Sequence, residues 1–480
     1  MNIDKHNILW FNVFDEYVIR GTTIVFGRTK IYTDVAEITS KNVVDVLTRA
    51  VRVHSQNQNE IQKLWDYYRG ITPIRSKTKE VRENINHKVN INRAAEIVNF
   101  KKGYGFGEPI QYIRRGSDES LTDDINNLNE YMFAESKHAK DTQIAEWLYI
   151  GGVGVRMVLP GEDEENPLSI HSLDPRHSFV VYHNGLGEKR VMGVKFIQRE
   201  TRVPVYSVYT KDMYYEIEND VITKAEAHSL GDVCMFEYQS NNARLGVFEV
   251  VIDILDAINE IESNRLDDVE QYVNSFLALL GGTIDDDTAK KLDEYKMLCL
   301  PEGVDAKYLS GQMMQADIQV LVDNLYDAVL KICGMPNRDG GTGTSGNGVA
   351  VYLSDGFSTA ESHMQSVENE FKLAEKQFLK LALRILRDMV GTNLKVKDID
   401  IKFSRRNYDN IQTKSQVLVS MLNNPKIHPE LAFAHCGLFV DPSSAYLQSK
   451  EWWEEQKKIE EEEAKNYVES LRGASHDDTV

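Results

Sequence analysis

GVFEVVIDILDAINEIESNRLDDVEQYVNSFLAL, Gly246 to Leu279, has no glycine after its first residue and no proline. Apolar residues recur at Val251, Ile254, Leu255, Ile258, Ile261, Leu266, Val269, Val273 and Phe276. These are steps of mostly three or four, the period of one helix face. The run from Val247 to Leu280, bounded by Gly246 and by Gly281–Gly282, is therefore expected to be one amphipathic helix, roughly 50 Å long at 1.5 Å per residue. Its polar side is acidic: Glu249, Asp253, Asp256, Glu260, Glu262, Asp267, Asp268 and Glu270 stand against Arg265 alone.

Downstream, residues 281–315 read as a compact interruption, with a short helix at Asp287 to Tyr295 and a strand pair around Pro301–Gly303. The triplet Asp285, Asp286, Asp287 fits a solvated helix start better than a cation site, since no further oxygen ligands follow at loop spacing. A helix is expected from about Ala316 to Ile332. The glycine-rich MPNRDGGTGTSGNG, Met335 to Gly348, follows it. Another run without glycine or proline, Phe357 to Val390, carries a stripe of Phe371, Ala374, Phe378, Leu381, Ile385 and Met389 and predicts a third long helix. After a short strand, Asp398 to Ser404, the chain reads as helical through the charged run EWWEEQKKIEEEEAK, Glu451 to Lys465, to a frayed end.

Upstream, helices are expected at Lys41 to Val53, at residues 57–69 up to Gly70, and at Ile91 to Lys102. GYGFG, Gly103 to Gly107, reads as a helix C-cap and turn, leading to a strand at Pro109 to Arg114. Residues 121–150 are helical in pattern until Gly151, Gly152 and Gly154. From Val155 to Tyr238 the pattern turns to strands: VRMVL, SFVVY, VMGVKFI, PVYSVYT and MYYEIE.

The 480 residues are 42% hydrophobic and 27% charged, the balance of a soluble folded chain of two to four regions. No segment approaches the roughly 20 apolar residues of a membrane span, and Met1 to Phe14 lacks the make-up of a secretion signal. Cys234, Cys299, Cys333 and Cys436 are far apart, without metal spacing, and are expected to be reduced and mostly buried. The net charge of −19 argues against strong non-specific clamping of nucleic acid. It suits a surface along which phosphates slide. Gly341, Gly343 and Gly346 spell Gly-x-Gly-x-x-Gly, but the order required for a nucleotide site is strand, glycines, helix. Here a helix comes first, so a flexible exposed loop is the better reading. No His-Glu-x-x-His, Gly-x-Ser-x-Gly or Walker sequence occurs. Isolated histidines such as His87, His171 and His363 fit structural roles. Neither a catalytic residue, a metal nor a cofactor is expected.

Three stretches carry a family resemblance: LWDYYRGITPI (Leu64 to Ile74) with NHKVNINRAAEIVNFKKGYGFGEPIQY (Asn86 to Tyr112), the acidic run from Gly246, and ICGMPNRDGGTGTSGNGVAVYL (Ile332 to Leu353). In this order they resemble the portal proteins of tailed bacteriophages, of the long, non-contractile-tailed type infecting Gram-positive hosts. The resemblance spans most of residues 60–390. It implies an α+β, mainly α, portal fold with long stem and wing helices, a β-rich wing insertion, a small α/β clip and a helical crown. In that frame residues 1–246 form the N-terminal and wing region, β-rich over 155–240. Residues 247–280 are the first stem helix, 281–315 the clip and 316–334 the second stem helix. Residues 335–348 are a tunnel loop, more glycine-rich here than in the family, 349–400 the long wing helix and return strand, and 401–480 the crown and tail.

The resemblance further implies a ring, usually of twelve copies and possibly thirteen in isolation, at one vertex of the capsid. Double-stranded DNA passes through it non-specifically during packaging and ejection. The expected channel lining is Asp253, Asp256, Glu260, Asp267, Asp268 and Glu270. The expected DNA-channel loop residues are Asn337, Arg338, Asp339, Thr342, Thr344, Ser345 and Asn347, all but Asp339 able to touch phosphate. Asp285, Asp286 and Asp287, with Lys290, Lys291 and Glu294, would meet the large terminase subunit and later a head-completion adaptor. The major capsid protein and a scaffolding protein are further partners, with no membrane. The protein would be made in the host cytoplasm and end in the virion. The competing readings are a helical scaffolding or adaptor protein without a channel, and an enzyme using the Gly341–Gly346 loop.

Overall fold

A computed structural model describes residues 17–19, 22–24, 27–80, 83–115, 119–198, 203–273, 276–280, 305–309, 315–336, 357–405, 411–439 and 441–474. Two short strands, β1 (Tyr17–Ile19) and β2 (Thr22–Ile24), pair antiparallel. Then come β3 (Ile31–Thr33), helix α1 (Val43–Tyr68), α2 (Arg93–Phe106), β4 (Gln111–Arg114), α3 (Thr122–Ala134) and α4 (Lys137–Gly151). The two helical segments expected before Gly70 are one continuous 26-residue helix. The polar residues between them are not a break, for His54 and Asn57 are buried on its inner face. Helix α2 also runs on past Gly103, which corrects the reading of GYGFG as a turn. Gly105 sits in the last turn because a Cβ there would lie 2.3 Å from Met364. Close packing, rather than termination, explains that glycine.

After α4 the chain turns at Gly152, φ +76°, where a Cβ would strike the carbonyl of Arg244 at 2.0 Å. Eight strands follow: β5 (Val153–Pro160), β6 (Leu168–Leu173), β7 (Ser178–His183), β8 (Arg190–Gln198), β9 (Pro204–Tyr209), β10 (Met213–Glu218), β11 (Val221–Ala227) and β12 (Met235–Gln239). They form a six-stranded sheet, order β11-β10-β9-β8-β7-β3, and a three-stranded sheet, order β12-β5-β6. The larger sheet packs Phe179, Val181, Met192, Val194 and Val208 against Val43, Val46, Leu47 and Ala50 of α1.

The second half holds α5 (Ile252–Val273), β13 (Phe276–Leu280), β14 (Asp305–Leu309), α6 (Gln315–Cys333), α7 (Phe357–Val390), β15 (Ile399–Lys402), α8 (Ile411–Leu422), α9 (Pro429–Cys436) and α10 (Pro442–Ala474). The class is α+β and mainly helical. Helix α5 is shorter than its pattern implied. The first turn, Glu249–Val251, is 3₁₀, and Phe276–Leu280 leaves the helix to pair antiparallel with Asp305–Leu309. Five consecutive apolar residues have no helical period and fit a short strand equally well.

Helix α7 runs through the main core, with Phe371, Phe378, Leu379 and Leu381 at most 1% exposed. It is fixed there by charge as well as by packing. Glu375, fully buried, accepts hydrogen bonds from the hydroxyls of Tyr112 on β4 and Tyr238 on β12 (2.6 Å for the latter). It also pairs with Arg156 on β5 at 2.9 Å and Lys137 on α4 at 3.0 Å. Asp141 pairs with the same Lys137 and Arg156, so two anions match two cations. Cys234, Cys333 and Cys436 are buried free thiols. Among the described residues no helix is long and apolar enough to cross a membrane.

Candidate functional site

Helices α5 and α6 pack against each other in opposite directions. The side chain of Arg265 on α5 donates to Gln319 on α6 at 2.8 Å and also to Gln315. At the other end Cys333 lies 3.6 Å from the carbonyl of Val247. The strand pair β13–β14 therefore sits at one end of the pair and the glycine-rich segment leaves from the other. Arg265, the single base among the acids, is used to join the two helices.

The eight acids sort by partner. Glu249 is buried before the helix begins and accepts from the amides of Gly27 (3.1 Å) and Gly246 (2.8 Å) and from Arg28 (2.5 Å). Asp256 accepts the Tyr67 hydroxyl at 2.8 Å. Burial, with help from Asp253 and Glu260, raises its carboxyl above the usual range despite that bond. Asp267 is 1% exposed and holds Lys77 (2.9 Å), Lys79 (2.5 Å) and both the amide (2.7 Å) and ring Nδ1 (2.9 Å) of His87. Burial works to raise its carboxyl, but these donors hold it far below the carboxylate range. Glu262 leans on Arg265 (3.4 Å) and Glu270 on His87 (3.5 Å). Asp253, Glu260 and Asp268 are exposed and, at about 100° per residue, share one stripe of the helix. Of the six acids expected along a channel, these three and the half-exposed Glu270 face outward, while Asp256 and Asp267 are engaged inside the chain.

The inner side of α5 changes character along its length. Val251, Leu255 and Ile258 are apolar, whereas Asn259, Ser263 and Asp267, at i, i+4 and i+8, are buried and polar. They receive the backbone amides of Ile91 (2.8 Å), Val89 (2.9 Å) and His87 (2.7 Å) in turn. Four residues of helix rise about 6 Å and two of extended chain rise about 6.6 Å, so the ladder stays nearly in step. An extended strap, residues 87–91, is thus laced onto the helix by side chains, which satisfy its backbone amides.

The root of the glycine-rich segment is firmly held. Gly334, φ +59°, follows α6, and the amide of Met335 returns to the carbonyl of Leu330 at 2.8 Å. Lys101 on α2, 5% exposed, donates to the Gly334 carbonyl at 3.2 Å. Burial lowers this ammonium to about 8. Where the described chain resumes, the ring of Phe357 lies 6.3 Å from that of Tyr104, also on α2. Both ends of the segment are therefore fastened to the last turns of α2. Sequence reading missed Lys101, although it shares a helix face with Ala94, Ile97, Val98 and Gly105, and that spacing marks it as buried. The expected loop residues Asn337, Arg338, Asp339, Thr342, Thr344, Ser345 and Asn347 lie outside the described residues. So do Asp285, Asp286, Asp287, Lys290, Lys291 and Glu294, and the helix expected at 287–295.

The sequence matches a family model described as phage portal protein, SPP1 Gp6-like, over residues 50–467. The chain belongs to this family. Its function is that of a phage portal protein, a structural component of the virion. Comparison of this portal chain with curated proteins gives no match. Among solved structures it is similar to a chain in the neck of an empty gene transfer agent (GTA) particle computed with C6 symmetry, at 11% identity and TM-score 0.42. It is likewise similar to one in the neck of the native particle computed with C12 symmetry (10%, 0.40) and one in the virion of the native particle (10%, 0.41). Each alignment covers 72% of the portal chain and 90% of the other.

Proposed function

We propose that copies of this portal chain, twelve in the virion, close into a ring whose bore is built from the α5–α6 pair. Double-stranded DNA enters and leaves the head through it. The observation that carries this reading is the antiparallel pair itself, with an acidic outer stripe, a strand pair at one end and a glycine-rich segment at the other. In this arrangement α5 and α6 are the stem, and residues 281–315, which contain β13's partner strand, are the clip. The β-rich part is the wing, with α7 as its long helix, and the helical C-terminal region is the crown.

The mechanism is electrostatic and passive. Asp253, Glu260 and Asp268, repeated around the ring, would present DNA with a wall of its own sign, with no cation there to displace the counterions condensed on its phosphates and so drive binding. Contact with DNA then falls to residues 337–348, through Asn337, Arg338, Thr342, Thr344, Ser345 and Asn347, which touch phosphate without reading sequence. Asp339 tempers that grip. The clip, with Asp285 to Asp287, Lys290, Lys291 and Glu294, would dock the large terminase subunit, which supplies the motor force, and later an adaptor protein. Capsid and scaffolding proteins would meet the outside of the ring during assembly in the host cytoplasm. No catalytic step is assigned to the chain.

The test is deletion of residues 338–347 with a short glycine bridge. Rings should still assemble, because the root at Gly334 and the restart at Phe357 are held by α2 independently of the segment. DNA packaging or retention should fall at least tenfold. Packaging at the normal level would remove the role given to the segment.

A further inference from the structure

We propose that α10 is a contact between neighbouring copies, the Trp453 side of one helix lying against the Trp452 side of the next. This rests on the ring reading and deepens it. Helix α10 meets the rest of the described chain near its start, where Tyr446 touches the rings of Phe433 (5.8 Å) and His428 (6.0 Å). From Gln448 to Asn466 every residue except the half-buried Gln456 is exposed. A helix standing this free is ordinarily polar all round. Here Trp452 and Trp453 are 61% and 63% exposed and Ile459 is 44% exposed.

The two tryptophans sit on different faces with different company. At about 100° per residue, Trp453, Lys457 and Lys450 fall within an arc of about 60°. Lys457 Nζ lies 6.0 Å over the Trp453 ring. Trp452, Ile459, Glu455 and Glu462 fall within an arc of about 80°, centred roughly opposite the first. Lys450 and Lys457 flank Trp453, with Glu460 and Glu461 at the two borders of that face, while Glu455 and Glu462 flank Trp452 and Ile459 and pair with no described residue of their own chain. The faces complement each other and not themselves, which is what a head-to-tail contact that closes into a ring requires. The contact requires α10 to stand along the ring axis; rotation then brings neighbouring helices parallel and level, and Lys457 stands within two residues of the height of Glu455. The partner that fits is therefore a second copy of this chain.

Charge exchange tests it. Glu455 and Lys457 are two residues apart and do not face each other on one helix, so any rescue between them comes from a neighbouring copy. In the full chain, Lys457→Glu and Glu455→Lys should each raise the concentration at which rings dissociate, by about tenfold in mass photometry, and the double variant should recover most of that loss. Trp452→Ala and Trp453→Ala should weaken rings comparably, with helix content by circular dichroism unchanged. Intact rings indifferent to all of these variants would overturn this contact alone. A wild-type chain that stays monomeric would sink the ring reading and this contact with it.

Discussion

Asp267 and Lys101 show how two charged side chains hold the ends of the same helical pair. Asp267 gathers two lysines and a histidine around a buried carboxylate, so Asp267→Asn should destabilise the chain by about 2 kcal/mol at neutral pH, the scale of losing charge-assisted hydrogen bonds. Its pH dependence has a definite sign. The folded carboxyl lies below the unfolded value of about 3.9, so its contribution is full above that value and is lost as pH falls further. Urea denaturation should show a constant gap between wild type and Asp267→Asn at pH 5 to 7, narrowing below about pH 4. Lys101 behaves oppositely. Its folded value of about 8 lies below the unfolded value, near 10.4. The unfolded chain thus binds the extra proton between them, and stability gains from this group as pH rises through that window. Lys101→Met should remove that gain. A wild type and variant that change in parallel from pH 8 to 10 would contradict the burial of this ammonium.

At the level of elements, α7 owes its position to Glu375, where β4, β5, β12 and α4 meet. Glu375→Gln leaves Lys137 and Arg156 with one anion between them, and removing one partner from a buried pair costs about 3–5 kcal/mol. A fall in Tm of many degrees is expected, and a change of a degree or two would show that the network is dispensable. The ends of α7 were legible in the sequence because an amphipathic run without glycine or proline lies between polar borders. The strands β5, β7, β8, β9 and β10 were legible as short runs rich in β-branched and aromatic residues with turn residues between them. β11 was not singled out, since as an exposed edge it carries Lys224 and Glu226 in place of apolar residues. The end of α5 was misplaced because Phe276–Leu280 satisfies two patterns at once. The acid side of α5 was legible as composition only: that Asp267 points inward depends on Lys77, Lys79 and His87, nearly two hundred residues away. The buried network was illegible for the same reason, its members lying on five elements.

For the whole molecule, the acidic stripe makes a claim about DNA. The wild-type chain should bind linear duplex weakly and with little change between 50 and 200 mM salt. A protein neutralising many phosphates loses about 10³-fold or more over that range. Changing Asp253, Glu260 and Asp268 together to lysine should create salt-sensitive binding and slow DNA passage without unfolding the chain, since all three are exposed. The proposed ring rests on the family membership and on the antiparallel α5–α6 pair. Electron microscopy of the purified full-length chain measures this most directly. Closed rings are expected, with a central hole walled by α5 and α6 and the segment after Gly334 reaching inward. Particles without a pore at every concentration, or rings whose bore is lined by the β-rich region, would contradict it.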